Sequence, residues 1–272
     1  MEPLLQAVNL TKRFGGLVAV DHASLDVYAG EVVGLVGDNG AGKSTLIKMI
    51  SGVYQPDGGE IYFEGKKVDF SGPRAARDLG IETIYQDLAL AENLDVGSNI
   101  FLGREMKTRY LGGLVHTLDR RSMTEESANV LKRLDIEVPS LTQQIRNLSG
   151  GQRQAVAIAR SIYWNAKVMI MDEPTAALGV AEQRKVLTTV RTLAGHGVPV
   201  IIISHNMQDV FAVADRIIIL RRGRKVGERI AVETTPDEIV SLMVGAEAVH
   251  EMGVIPKAID DNGAGAVASD SE

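Results

Sequence analysis

Short apolar runs separated by turn residues fill the first part of the chain. Positions 4–10, 23–27, 31–36 and 61–63 have the length and Val/Ile/Leu content of strands, and Gly15-Gly16, Gly30 and Pro56-Asp-Gly-Gly59 punctuate them. The run Glu31-Val-Val-Gly-Leu-Val36 barely alternates, as expected of a strand covered on both faces. It enters a glycine-rich loop, after which the spacing predicts a helix over 43–50. From about 88 to 138 the apolar spacing becomes helical, and Ser122-Met-Thr-Glu125 reads as a capping box ahead of Ala128, Leu131 and Leu134. A mainly helical insertion is therefore expected at about 88–150. Past Leu148 the buried-strand pattern returns in Val168-Met-Ile-Met171 and Val200-Ile-Ile-Ile203, separated by helical stretches at 152–163 and 182–194. Runs at 217–220 and 225–228, joined by Arg221-Arg-Gly-Arg224, predict a terminal hairpin. Strands alternating with helices point to an α/β domain with a mostly parallel, helix-covered sheet, and there is no internal repeat.

Composition narrows the function. The 272 residues, 45% hydrophobic and 24% charged, suit a globular chain and exclude collagen-like or largely disordered classes. With no cysteine, a disulfide framework, a thiol nucleophile and a thiolate metal site are excluded. The net charge is -6, and most of it lies in 246–272, where six acids (Glu247, Glu251, Asp260, Asp261, Asp270, Glu272) face one base, Lys257. Residues 1–245 are thus expected to form one nearly neutral domain, followed by an acidic, disordered tail. A neutral domain is a poor binder of nucleic acid, so none is expected. No run approaches the roughly 18 apolar residues of a membrane span, and Met-Glu-Pro-Leu-Leu-Gln lacks the features of a signal peptide, so a cytoplasmic location is expected.

Three glycine or acidic motifs carry the chemistry. Gly37-Asp38-Asn39-Gly40-Ala41-Gly42-Lys43-Ser44-Thr45 fits the P-loop pattern. Its glycines let successive N–H groups turn toward phosphate oxygens, Lys43 can reach the β- and γ-phosphates, and the Ser44 hydroxyl can ligate Mg²⁺. An ordinary glycine turn is the alternative, but the strand before it and the helix after it favour a nucleotide site. Lys167-Val-Met-Ile-Met-Asp172-Glu173-Pro174 is a core strand ending in two carboxylates. Asp172 can hold the hydration shell of Mg²⁺ and Glu173 can act as general base on an attacking water; the bland alternative is a pair of solvated loop acids. Leu148-Ser149-Gly150-Gly151-Gln152 precedes a helix, with Ser149 in the N-cap place and two glycines allowing an anion to approach. Read alone it is more often a capped helix with a flexible lead-in.

Together these motifs, in this order, resemble the ATP-binding cassette family over about residues 5–245. Leu148-Ser-Gly-Gly-Gln152 matches the family signature, Gln86 after Gly80-Ile-Glu-Thr-Ile-Tyr85 falls at the Q-loop, and His205 closing Val200-Ile-Ile-Ile-Ser-His205 falls at the switch histidine. The resemblance implies a P-loop NTPase core with a mostly parallel sheet, an N-terminal antiparallel β subdomain and an inserted α-helical subdomain. It implies ATP and Mg²⁺ as ligands, Phe14 stacked on adenine, Gln86 at Mg²⁺ or the attacking water, and His205 at the γ-phosphate. It also implies a head-to-tail homodimer in which Ser149, Gly151 and Gln152 contact the nucleotide on the partner's Lys43. One position departs from the family: the D-loop aspartate is replaced by Gly179, which puts coupling between the two sites in question. Asp38-Asn39, Phe101-Leu-Gly-Arg104, Ser204-His-Asn-Met207 and Asp172-Glu-Pro-Thr-Ala-Ala-Leu-Gly-Val180 are similar to the monosaccharide-importer branch. That branch implies two permease subunits, an extracytoplasmic sugar-binding protein, and a place on the cytoplasmic face of the membrane. Another transported solute, or a soluble ATP-gated clamp on nucleic acid or ribosomes, are the rival readings.

Overall fold

The computed structural model describes residues 2–110 and 115–245; the acidic segment 246–272 lies outside the described residues. Strands β1 (Leu5–Phe14) and β2 (Leu17–Val27) form a hairpin, and β3 (Val32–Gly37) runs through the glycine loop into α1 (Lys43–Ile50). β4 (Gly58–Phe63) and β5 (Lys66–Val68) complete a four-stranded antiparallel sheet of order β2-β1-β4-β5. After α2 (Pro73–Asp78) and β6 (Ile81–Ile84) comes the insertion, with α3 (Val96–Ile100), β7 (Lys107–Tyr110), β8 (Val115–Leu118) and α4 (Arg120–Arg133), which leads into α5 (Gly150–Tyr163). The chain then alternates through β9 (Val168–Asp172), α6 (Val180–Gly195), β10 (Val200–Ile203) and α7 (Met207–Val213). It closes with the hairpin β11 (Arg216–Arg221) and β12 (Arg224–Ile230) and with α8 (Pro236–Val244).

The central sheet has the order β12-β11-β3-β10-β9-β6, and every pairing except β11 with β12 is parallel. Its side chains divide by parity between separate cores. Val33, Leu35, Val168, Ile170, Ile201, Ile203, Ile218 and Leu220 join the core that holds α1 and the antiparallel sheet. On the other face Val32, Met169, Met171, Val200 and Ile202 pack with the helical side, and Val36, Ile217 and Ile219 pack with α7 and α8. Both faces are dry, so the strands read as unbroken apolar runs instead of alternating ones.

The insertion differs from a purely helical unit. It contains the antiparallel hairpin β7–β8, whose β-branched and aromatic positions (Thr108, Tyr110, Val115, Thr117) flank Gly112-Gly113 in the sequence, a hairpin signal outweighed there by the surrounding charges. Helix α4 also starts three residues earlier than a Ser122 cap allows. Asp119 is its N-cap, accepting the Ser122 N–H at 3.1 Å, so Ser122 lies inside the first turn and the capping-box reading is corrected.

One polar group is out of place in this architecture. Glu82, on β6, is 4% exposed and its Oε1 has no hydrogen-bond partner. Burial pushes its carboxyl up to about 7, with Arg77, Arg104 and Arg160 pulling the other way. Its folded-state value exceeds its unfolded one, so as pH rises the unfolded chain loses the proton first. Stability therefore falls between about pH 4.5 and about pH 7 and then levels, by about 3 kcal/mol for this one group. Glu82→Gln is expected to remove that fall. Urea unfolding at a series of pH values between 4.5 and 8 checks it, and parallel curves for the two proteins would contradict it.

Candidate functional site

Strand register alone gathers most of the candidate residues. Ile84 pairs with Met171, Met171 with Ile202, and Ile202 with Gly34, so β6, β9, β10 and β3 are in step. Two residues beyond that row stand Gln86, Glu173, Ser204 and Val36. Gly37 and His205 follow, all at the carboxyl edge of the sheet. Open α/β sheets bind ligands at that edge.

The loop between β3 and α1 is built for a phosphate. Gly42, in the N-cap place of α1, has φ 102° with no side-chain cap, and a Cβ there would stand 2.6 Å from the Ala19 carbonyl. Only glycine fits, and its position leaves the first N–H groups of α1 facing the loop. Asp38, Asn39, Gly40 and Ser44 are exposed, Ala41 is buried and Thr45 half-buried. Lys43 folds back, donating to the carbonyls of Gly37 (2.7 Å) and Asp38 (3.1 Å). Burial lowers its ammonium below the usual range, against the opposing pull of Glu173, Asp38 and Asp172. Those two carbonyl bonds hold the ammonium in the loop where an anion can exchange for them.

Asp172 and Glu173 sit in different environments. The Asp172 carboxyl is raised by burial and by neighbouring Glu173, while Lys43 and Lys48 lower it. Glu173 leaves the strand with φ 52°, a left-handed conformation costly for a residue with a side chain. Its N–H donates to the Ile203 carbonyl (2.9 Å), so the kink is anchored on β10. Its carboxylate is thereby turned toward His205: Oε1 accepts the His205 backbone N–H at 3.1 Å, and Oε2 lies 2.9 Å from Nδ1. Glu173 is mostly buried (19% exposed) while the imidazole is 75% exposed, leaving the histidine free to meet a ligand. The segment that follows is tied down by a bond the sequence gave no sign of. Thr175 Oγ1 donates to Asp209 Oδ2 on α7 at 2.6 Å, and both side chains are buried. Lys48, which adds positive charge near Asp172, was likewise invisible without the fold.

Ser149 caps α5 as its place suggested. Its Oγ accepts the Gln152 N–H (3.3 Å), and the Ser149 N–H in turn donates to Gln152 Oε1 (3.0 Å). Gly150 and Gly151 abut the N-terminus of α6. Gln86 is exposed just past β6. Phe14 ends β1 with 43% exposure and an edge contact to Tyr54, the centroids 5.3 Å apart, so an aromatic face remains open. Gly179 is the N-cap of α6 and brings no side chain. The structure thus brings Gly37, Lys43, Asp172, Glu173, His205 and Gln86 to one edge, with the Ser149 turn at the start of a separate helix.

Comparison with known proteins gives a consistent result. A family model described as ABC transporter matches residues 20–176. The xylose/arabinose import ATP-binding protein XylG of Sulfolobus acidocaldarius is 50% identical over 243 residues, covering 89% of this chain and 94% of its own. The fructose import ATP-binding protein FrcA of Rhizobium meliloti is 47% identical over 248 residues, covering 90% and 95%. Among solved structures, the ATP-binding cassette MJ0796, a dimer in a post-hydrolysis state bound to ADP and Pi, superposes with a TM-score of 0.69. It is 25% identical and covers 84% of this chain and 98% of that one.

Lys43 is the cation at the loop, and a charge-assisted bond to phosphate is worth about 1.5–3 kcal/mol. Lys43→Ala is expected to weaken ATP binding by about ten- to a hundredfold in equilibrium titration. Unchanged affinity would contradict the assignment of the loop.

Proposed function

The chain belongs to the ABC transporter family, and from that premise we propose that it is the ATP-binding and ATP-hydrolysing subunit of a monosaccharide importer. The observation that carries the hydrolytic role is the Glu173–His205 pair at the same sheet edge as the Lys43 loop. The sugar is supported by two relatives matched over nearly their whole length, one a xylose/arabinose and one a fructose import protein.

ATP lies with its phosphates in the loop from Gly37 to Thr45, taking over the Lys43 ammonium from the Gly37 and Asp38 carbonyls. Phe14 offers its face to the adenine. The donor set suits Mg²⁺: the Ser44 hydroxyl, the Asp172 carboxylate and the Gln86 amide are hard oxygen ligands. Mg²⁺ held by so few protein oxygens keeps several waters and takes phosphate oxygens as further ligands. Bound there, Mg²⁺ neutralises charge on the β- and γ-phosphates. Glu173 accepts the proton of a water as its oxygen bonds the γ-phosphorus and the bond to the β–γ bridging oxygen breaks, leaving ADP and phosphate. His205, oriented by its bond to Glu173, donates to the γ-phosphate. Catalysis is largely positioning and electrostatic stabilisation.

Two copies are needed to complete each site. The turn from Ser149 to Gln152 is a second set of helix N-terminal donors, and it meets the nucleotide held on the partner's loop. A similar cassette is dimeric with ADP and Pi bound, which supports the pairing of two copies. No described helix is long and apolar enough to cross a membrane. In this reading attachment to the cytoplasmic face runs through two permease subunits, with a sugar-binding protein delivering the solute from outside. Residues 1–245 work as one nucleotide-binding domain in this scheme.

Removing a general base costs about 10²–10⁴ in rate. Glu173→Gln is expected to slow phosphate release by that factor while ATP affinity stays within about twofold. Normal turnover would remove Glu173 from its role. Affinity purification from native membranes tests the transport reading: recovery of a multispanning permease with a sugar-binding protein is expected, and recovery of ribosomes or nucleic acid without a permease would overturn it.

A further inference from the structure

The end of β1, where Phe14 stands, is held by the segment that follows α1. Asp57 makes three bonds to it. Its N–H donates to the Thr11 carbonyl (2.8 Å), Oδ1 accepts the Lys12 ammonium (2.9 Å) and Oδ2 accepts the Arg13 N–H (2.7 Å). The same ammonium donates to the Gln55 carbonyl at 2.7 Å, and the Lys12 side chain is only 15% exposed. Lys12 and Phe14 are two apart on one strand and share a face, so the fixed ammonium lies over the Phe14 ring, 5.8 Å from its centre. Tyr54, from the same segment, meets Phe14 edge-on with the ring planes at 71°. Its N–H donates to the Lys48 carbonyl of α1 (2.9 Å), and its ring packs against the core that holds α1.

The hairpin is also set against the phosphate loop. Lys12 pairs with Val20 but Arg13 pairs with Val18, so Ala19 is the extra residue of a bulge in β2. The Ala19 carbonyl lies against Gly42, where a Cβ would stand 2.6 Å from it, and against Gly223, whose N–H donates to the Ala41 carbonyl (2.9 Å). Backbone packing thus sets how far Phe14 stands from the loop, while Lys12 and Tyr54 set the direction of its ring. A cation over one face is attracted to the ring and occupies that side. The face away from Lys12 is then the one a base can stack on. A ring held in this way has little rotamer freedom left to lose when the base arrives.

We propose that Lys12, fixed by Asp57, is a positioning residue for the nucleobase: it covers one face of Phe14 and leaves the opposite face as the single stacking surface for adenine. The inference rests on the reading of Phe14 as the adenine platform given above. Lys12 serves the base alone, and the triphosphate is left to the loop from Gly37 to Thr45.

Lys12→Met keeps an unbranched side chain and removes the charge. In equilibrium titration of the full-length chain with Mg²⁺ present, its ATP affinity is expected to fall about three- to tenfold. Inorganic tripolyphosphate, which carries no base, is expected to bind Lys12→Met as it binds the unsubstituted chain, which also shows that the loop is folded. Phe14→Ala is expected to show the same selective loss, and adding Lys12→Met to it is expected to weaken ATP binding no further. Equal loss of ATP and tripolyphosphate in Lys12→Met would make Lys12 a general charge or a structural group and overturn the proposal. Unchanged ATP affinity in Lys12→Met, or a second full loss in the double variant, would overturn it too. Phe14→Ala keeps the two failures apart. A selective loss there without one in Lys12→Met removes the role of Lys12 alone, and normal ATP binding by Phe14→Ala would overturn the platform and the inference together.

Discussion

Everything functional here depends on the register of parallel strands in the central sheet. Parallel pairing sends all the carboxyl ends the same way, and because β6, β9, β10 and β3 are in step, residues far apart in sequence emerge in one row. Slipping one strand by a single residue would turn every side chain on it to the opposite face and exchange the two cores. The apolar fit on both faces therefore fixes the geometry of the edge. The catalytic groups need no scaffolding of their own beyond a kink or a loop at each strand end.

Those strand ends are strained or bonded in ways that serve the chemistry. The left-handed backbone at Glu173 is held by the Ile203 carbonyl and aims the carboxylate at His205. The segment beyond it is pinned by Thr175 on Asp209 and ends at Gly179, where the N-terminal turns of α5 and α6 meet. The segment from Glu173 to Gly179 thus connects the carboxylate at the sheet edge to the place where the starts of α5 and α6 adjoin.

Much of the fold was legible because burial on both faces leaves an unmistakable mark. The runs at 31–36, 168–171 and 200–203 became β3, β9 and β10 within a residue, and the Gly37–Thr45 motif declared α1 to the residue. Short or polar elements were not legible. The β7–β8 strands are four residues each and interleave Lys107, Arg109 and His116 with their β-branched positions, and α7 and α8 are held by packing against the sheet more than by their own pattern. The N-cap of α4 was misread because two acceptable capping residues, Asp119 and Ser122, lie three apart, and only packing of Met123, Ser127, Val130 and Leu131 decides between them. For the site, motif spacing supplied the residue types, whereas the Thr175–Asp209 tie and the charge of Lys48 are tertiary facts without a local signature.

The most direct test of the account mixes two inactive chains. Lys43→Ala lacks a working loop and Ser149→Arg lacks a working second cradle, so each alone is expected to hydrolyse no ATP. In an equal mixture about half the dimers pair one of each, and every such dimer has one complete site formed between subunits. Phosphate release recovering toward about a quarter of the unsubstituted rate is the result the account requires. A mixture as silent as its two components would mean that the loop and the Ser149 turn serve the same nucleotide within one chain, and would contradict it.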